Sequence, residues 1–258
     1  MSDTVTRDDA GGVATLTLQR PALSSALRRD LLDAVRAVGA DESVRAVLLT
    51  GSGRAFCVGQ DLAEHIESLR GNAATSLSVV EEEYNPLILA LAGLRVPVVV
   101  GINGACAGAG LGIALAGDLR VAAAGAKFTT AFTGIGLSSD SALAARLVHC
   151  VGASRATELL LLPEPFSAET AAQWGLVHRV VAPEQVLPEA HALASRLATG
   201  PTAAYRAVKT VLATAATDPL EETLALEGRL QTELGQTADH HEAVEAFLAK
   251  RPPVFSGR

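Results

Sequence analysis

Residues 97–128 read PVVVGINGACAGAGLGIALAGDLRVAAAGAKF, and this stretch decides the fold. After Pro97, the run Val98-Val99-Val100-Gly101-Ile102 is apolar without alternation, as expected of a strand covered on both faces. Glycines and alanines from Gly104 to Gly112 then form a tight turn leading into an Ala/Leu helix that ends near Gly117. Leu119 to Ala123 reads as a further short strand. Strand, glycine turn, helix and strand in succession predict an α/β architecture.

The same pattern stands upstream. Val13 to Gln19 (VATLTLQ) alternates as a half-buried strand, and Arg20-Pro21 ends it. Ser25 to Val38 carries apolar residues at helical spacing. Ser43 to Thr50 contains the continuous run AVLLT, then Gly51-Ser52-Gly53 makes a turn, and a short helix begins near Asp61. A longer helical stretch is expected over about Ser76 to Leu94, kinked or broken at Pro86. From about Ser138 the pattern is mostly helical, with segments centred on Ala144, Glu158, Leu193, Val208, Leu226 and Ala246. No linker separates two domains.

The chain has 258 residues, 49% hydrophobic and 19% charged, which suits one large α/β domain. Six Phe, two Tyr and one Trp leave a core built of Ala, Val and Leu. A formal net charge of −7 argues against a nucleic-acid or anionic-membrane partner. Cys57, Cys106 and Cys150 are scattered, and neither they nor the six histidines show metal-site spacing. A polar, acidic beginning, MSDTVTRDDAGG, has no signal-peptide character, and glycines and Asn103 interrupt the most apolar segment. A cytoplasmic protein without a membrane span is expected.

Two segments can bind developing negative charge. In Arg54-Ala-Phe-Cys-Val-Gly-Gln-Asp-Leu62 and in Asn103 to Gly112, a strand and glycine turn run into a helix start, where backbone N–H groups are free. A dinucleotide fingerprint does not fit the spacing of Gly108, Gly110 and Gly112, and a P-loop is excluded by the lack of GK[ST].

Together these segments resemble the crotonase (enoyl-CoA hydratase/isomerase) superfamily. The matching residues are Arg20-Pro21, VRAVLLTGSGRAFCVGQDL at 44–62, the stretch 97–128, SAETAAQWGLV at 167–177 and the ending FLAKRPPVFSGR. The resemblance implies a spiral of ββα repeats over residues 1–195. A C-terminal helical trimerisation region over 196–258 is implied as well, in a homotrimer or hexamer. It also implies an acyl-CoA substrate, with CoA carried by the substrate and no other cofactor or metal. The implied oxyanion hole consists of the backbone N–H groups of Gln60 and Ala109. Substrate or CoA contacts are implied at Ala26, Val58, Gln60, Asp61, Leu62, Ala109 and Phe132.

Family hydratases hold water between two glutamates, at the positions of Gly112 and Phe132 here. Neither residue can orient or deprotonate water. The segments FCVGQDL, NGACAGAG, AKFTTAF and Tyr84-Asn85-Pro86-Leu87 are instead similar to two isomerase groups. These are the phenylacetate-pathway ring-1,2-epoxyphenylacetyl-CoA isomerases and the Δ3,Δ2-enoyl-CoA isomerases. Asp140, in GIGLSSDS, aligns with their aspartate, which implies a single acid/base for a 1,3-proton shift. Those relatives read PDSGG where this chain has Ser139-Asp140-Ser141-Ala142-Leu143. Asp140 also stands where a helix N-cap is expected.

Asp61 is expected to support a helix start, Asp118 to pin a strand, and Glu81-Glu82-Glu83 to form a solvated face. For Tyr84 and Asn85 the resemblance implies a place in the acyl pocket, with plain packing the alternative reading. A water-using hydratase or hydrolase on Asp140 and a non-catalytic acyl-CoA-binding or scaffold subunit are the alternative readings.

Overall fold

The computed structural model describes residues 3–72, 74–215 and 217–258. The chain opens with a hairpin of β1 (Val5–Ala10) and β2 (Val13–Leu18), followed by α1 (Ser25–Ala40). Three similar units come next. The first is β3 (Ala46–Gly51), β4 (Ala55–Cys57) and α2 (Leu62–Asn72). A π turn (Val80–Tyr84) and α3 (Asn85–Ala92) lead to the second, made of β5 (Val98–Ile102), β6 (Ala105–Ala107) and α4 (Ala109–Ala116). The third is β7 (Leu119–Ala123), β8 (Lys127–Thr129), a 3-10 turn (Phe132–Ile135) and α5 (Leu143–Leu161).

The two strands of each unit go to different sheets. One sheet has the order β1-β2-β3-β5-β7-β10 and is parallel from β2 onward. The other has the order β4-β6-β8-β9, parallel except at β9. This is the expected spiral of ββα turns. Asn103 fastens one turn to the next, its amide donating to the carbonyls of Gly53 and Ala55 at 3.0 Å each.

After α5 come β9 (Phe166–Ser167), α6 (Ala168–Gln173), β10 (Arg179–Val181) and α7 (Val186–Ala198). The chain then continues as α8 (Thr202–Thr214), α9 (Leu220–Leu234) and α10 (Ala238–Leu248). The expected division at residues 195/196 falls inside α7. Residues Ala190, Ala194 and Ala198 of α7 lie against Val13, Ala46, Leu48, Val99 and Val121, on one face of the large sheet. The alternate residues Val47, Leu49, Val98 and Val100 face the main core, with α1, α3 and α4. Both faces of β3 and β5 are thus covered, which is why their sequences are apolar without alternation.

The structure adds detail to the sequence reading at four places. The polar opening contains β1, whose Asp8, Asp9 and Ala10 are exposed on an edge where charge is tolerated. The stretch 76–94 is a π turn followed by α3, and Pro86 sits in the first turn of α3, where its missing N–H costs nothing. The glycine turn after β5 contains the short strand β6 before α4 begins. The C-terminal half includes β10, which extends the large sheet beside β7. Strands β6 and β10 are three residues long and β9 two, below the length at which alternation can be read. Among the described residues no helix is long and apolar enough to cross a membrane.

Candidate active site

The ends of β4 and β6 meet at two glycines with positive φ. Gly59 (φ +87°) follows β4, and Gly108 (φ +54°) precedes the first residue of α4. A Cβ built on Gly59 would lie 3.2 Å from the Ala107 carbonyl oxygen and 3.6 Å from the Ala109 nitrogen. The two loops therefore touch. Residues 58–61 are held on their other side: Val58 N–H donates to Pro21 O (2.8 Å), Leu23 N–H to Gly59 O (2.8 Å) and Asp61 N–H to Leu23 O (3.3 Å).

The N–H groups of Gln60 and Ala109 are left over. Among the described residues neither donates a backbone hydrogen bond, and Ala109 begins its helix, where no intrahelical acceptor exists. Two free donors on touching loops can hold an oxyanion. All of α4 is buried, so its positive end is poorly screened by water.

The rest of the site packs on the first turn of α4. A Cβ on Gly108 would lie 3.9 Å from the Phe132 ring, which puts Phe132 beside the donor loop. One turn into the helix, a Cβ on Gly112 would meet Ser141, 2.6 Å from its carbonyl oxygen and 2.7 Å from its Cβ. Ser141 and Ala142 both have positive φ (53° and 56°), and Ser141 is buried. This left-handed pair presses the chain into the space beside Gly112.

Asp140 directly precedes that pair. Its carboxylate accepts from the Ser141 hydroxyl at 2.7 Å, and no cation is paired with it among the described residues. Burial pushes its pKa above the usual carboxylate value, while the Ser141 hydrogen bond opposes the shift. The N-cap of α5 is Ala142; the Asp140 carbonyl accepts from Leu143 N–H (2.9 Å), while its carboxylate is engaged by the Ser141 hydroxyl and not by an N–H of this helix. The expected departure from PDSGG takes this form: two left-handed residues stand between Asp140 and α5.

Asp61 does cap, accepting from Ala63 N–H (2.9 Å) and Glu64 N–H (3.3 Å) at the start of α2. The Asp118 carboxylate accepts from Val98 N–H (2.7 Å) and from Lys209, pinning the start of β5. Ala26, Val58 and Leu62 are exposed around the mouth of the two loops. The start of α1 is tied to α2 by Ser25 N–H donating to the Glu64 carboxylate (2.8 Å). Helix α2 buries none of its residues, and Leu62, Ile66 and Leu69 form an exposed apolar stripe along it.

Two residues carry more than the sequence reading gave them. Glu83, expected on a solvated face, accepts from the buried Arg28 Nε at 2.6 Å and from the Ser25 hydroxyl at 3.2 Å. Arg28 in turn lies 5.1 Å from the ring centroid of Tyr84, which is buried. A lone acidic run gives no sign of its partner, since Arg28 is 55 residues away. Asn85 is exposed. Cys57 is fully buried, and its thiol is pushed up to about 12 by desolvation, so it is no nucleophile. His240 and His241 are exposed, and no group of metal-ligating side chains occurs among the described residues.

Residues 8–258 match the family model for enoyl-CoA hydratase/isomerase. A Rhodobacter capsulatus protein named "probable enoyl-CoA hydratase" is 44% identical, the match covering 99% of this chain and 98% of that protein. The 1,2-epoxyphenylacetyl-CoA isomerase of Escherichia coli is 41% identical over 96% of each chain. A solved structure of an enoyl-CoA hydratase/isomerase family protein from Mycobacterium abscessus superposes with a TM-score of 0.97 at 51% identity. It covers 98% of this chain and all of that one.

Proposed function

The chain belongs to the enoyl-CoA hydratase/isomerase family, and on that premise we propose that it is an acyl-CoA isomerase with Asp140 as its acid/base. The observation that carries this reading is the contact between Gly112 and Ser141. The position where a family hydratase holds one of its glutamates has no room for a side chain, and the other position is Phe132. Asp140 remains, a partly buried carboxylate with no cationic partner among the described residues, beside the helix whose first N–H is a free donor.

The chemistry follows from these parts. The thioester oxygen is held by the Gln60 and Ala109 N–H groups, so removal of an adjacent proton yields an enolate whose charge is stabilised in place. Asp140 takes that proton and returns it two carbons away. A carboxyl with a raised pKa suits both halves, since it accepts and releases the proton more evenly than an ordinary aspartate. No water, metal or redox group is required. The acyl-CoA enters over the apolar stripe of α2, with Ala26, Val58, Asp61 and Leu62 at the rim and Phe132 against the acyl group.

Assembly as a homotrimer or hexamer through the C-terminal helices is part of the proposal. Support comes from exposed Leu212, Phe247 and Leu248, and from an apolar groove of about 960 Å³ among α8, α9 and α10. No candidate catalytic residue lines that groove. The acidic balance and three free cysteines support a cytoplasmic location without nucleic-acid or membrane partners.

The test is turnover of 3-enoyl-CoA and 2-enoyl-CoA in ¹⁸O-labelled water. Migration of the double bond with no label in the product is expected. Rapid labelled hydration of the 2-enoyl-CoA would make the protein a hydratase, and binding without turnover of either would make it a non-catalytic subunit.

A further inference from the structure

Helix α1 runs from the candidate active site to a second cavity. Ala26, near its start, stands at the rim of the site, and Gly39, near its end, lines the cavity. The helix has 16 residues, so its ends are about 24 Å apart. The cavity, of about 400 Å³, is walled by the end of α1, the approaches to β3 and β5, the start of α8 and the tail 256–258.

Four arginines line it: Arg45, Arg95, Arg206 and Arg258. The chain has 28 Asp and Glu to 21 Lys and Arg, yet none of the four is ion-paired among the described residues. Two acids share the wall. Asp41 is taken up by Arg7 and the Ser43 hydroxyl, and the exposed Glu42 pairs with none of the four.

Arg45 spends its donors on neutral oxygens: the Thr202 hydroxyl (2.9 Å) and the carbonyls of Phe255 (3.2 Å) and Gly200 (2.6 Å). These bonds fix the guanidinium and leave its charge uncompensated. Arg206 has a buried Nε–H with no hydrogen-bond partner among the described residues. A guanidinium keeps its proton at any physiological pH, so this donor cannot escape by becoming neutral. A buried donor without an acceptor costs stability and calls for an explanation.

The missing acceptor must be negative, carry several oxygens and be small. A phosphate group has these properties, since its terminal oxygens accept from more than one guanidinium fork at once. We propose that the cavity is an anion site separate from the acyl-CoA site, taking a small phosphate-bearing molecule against Arg206 and its neighbouring arginines. A carboxylate from a second copy of the chain is the rival occupant. Walls contributed by four parts of the chain suit a small molecule better than a protein surface.

The test is calorimetric titration of the full chain with inorganic phosphate and with pyrophosphate, at constant ionic strength so that general screening is not read as binding. The parent is compared with Arg206→Gln and with Arg95→Gln, whose exposed position keeps the fold out of question. The parent is expected to bind one pyrophosphate per chain. Each variant should bind it about tenfold more weakly, the size of one charge-assisted hydrogen bond. Hexanoyl-CoA should bind parent and variants alike and should not displace pyrophosphate. No saturable binding to the parent, equal binding in parent and variants, or displacement by hexanoyl-CoA would overturn the proposal. A parent that ignores both anions but loses its assembly on either substitution would assign the cavity to a second copy instead.

Discussion

A side chain at Gly112 would run into Ser141, because a Cβ there would lie 2.6 Å from the Ser141 carbonyl oxygen. The contact links the absence of one hydratase glutamate to the position of Asp140. The left-handed pair Ser141-Ala142 occupies the space beside Gly112, and Asp140 is the residue immediately before it.

Restoring the missing acid therefore should not restore hydration. Gly112→Glu is expected to destabilise the protein by about 1–3 kcal/mol through overpacking against Ser141. It should add no water to a 2-enoyl-CoA. Thermal unfolding and a hydration assay check both statements.

Gly59 holds the donor loop at φ +87°, and a Cβ there would lie 3.2 Å from the Ala107 carbonyl oxygen and 3.6 Å from the Ala109 nitrogen. Gly59→Ala should disturb the Gln60 N–H without removing any side chain from the site. Loss of one such donor typically lowers turnover by about 10²–10³. A larger fall in kcat than rise in KM is expected, because the donor acts on charge that develops in the transition state.

Burial raises the Asp140 pKa above its ordinary value of 3.8. Asp140 must be ionised to accept the proton, so kcat/KM should rise with pH through an inflection above the usual aspartate range. A profile with its acid limb in the ordinary carboxylate range would contradict the assignment.

The same shift has a consequence for stability. A folded-state pKa above the unfolded value means that Asp140 favours folding most at low pH, and that this contribution is lost as pH rises through the folded value. At neutral pH the partly buried ionised carboxylate therefore works against the fold. Asp140→Asn should raise the melting temperature at pH 7, and the gain should shrink or vanish below about pH 4.

Much of this was legible in the sequence. The unbroken apolar runs of β3 and β5 announced a sheet covered on both sides, and the two glycine-rich helix starts announced paired backbone donors. The place of Asp61 at a helix start followed from its sequence proximity to α2, whereas the strand that Asp118 pins is β5, 20 positions back at Val98. What stayed hidden was non-local or very short. The three residues of β6 carry no period, and β1 looks like a polar terminus because its edge exposes charge. The Glu83–Arg28–Tyr84 arrangement joins residues up to 56 positions apart, as Tyr84 minus Arg28 gives. Ser141 and Ala142 take a backbone conformation that non-glycine residues rarely adopt, so their alanine and serine identities gave no warning.

The central claim is that Asp140 moves the proton. The measurement is double-bond migration in a 3-enoyl-CoA in deuterated water, followed by deuterium incorporation, for the parent and Asp140→Asn. The parent should isomerise the substrate and exchange its mobile protons with solvent. The variant should lose about 10²–10⁴ of that rate while still binding acyl-CoA. Equal rates of migration in parent and variant would remove Asp140 from the mechanism.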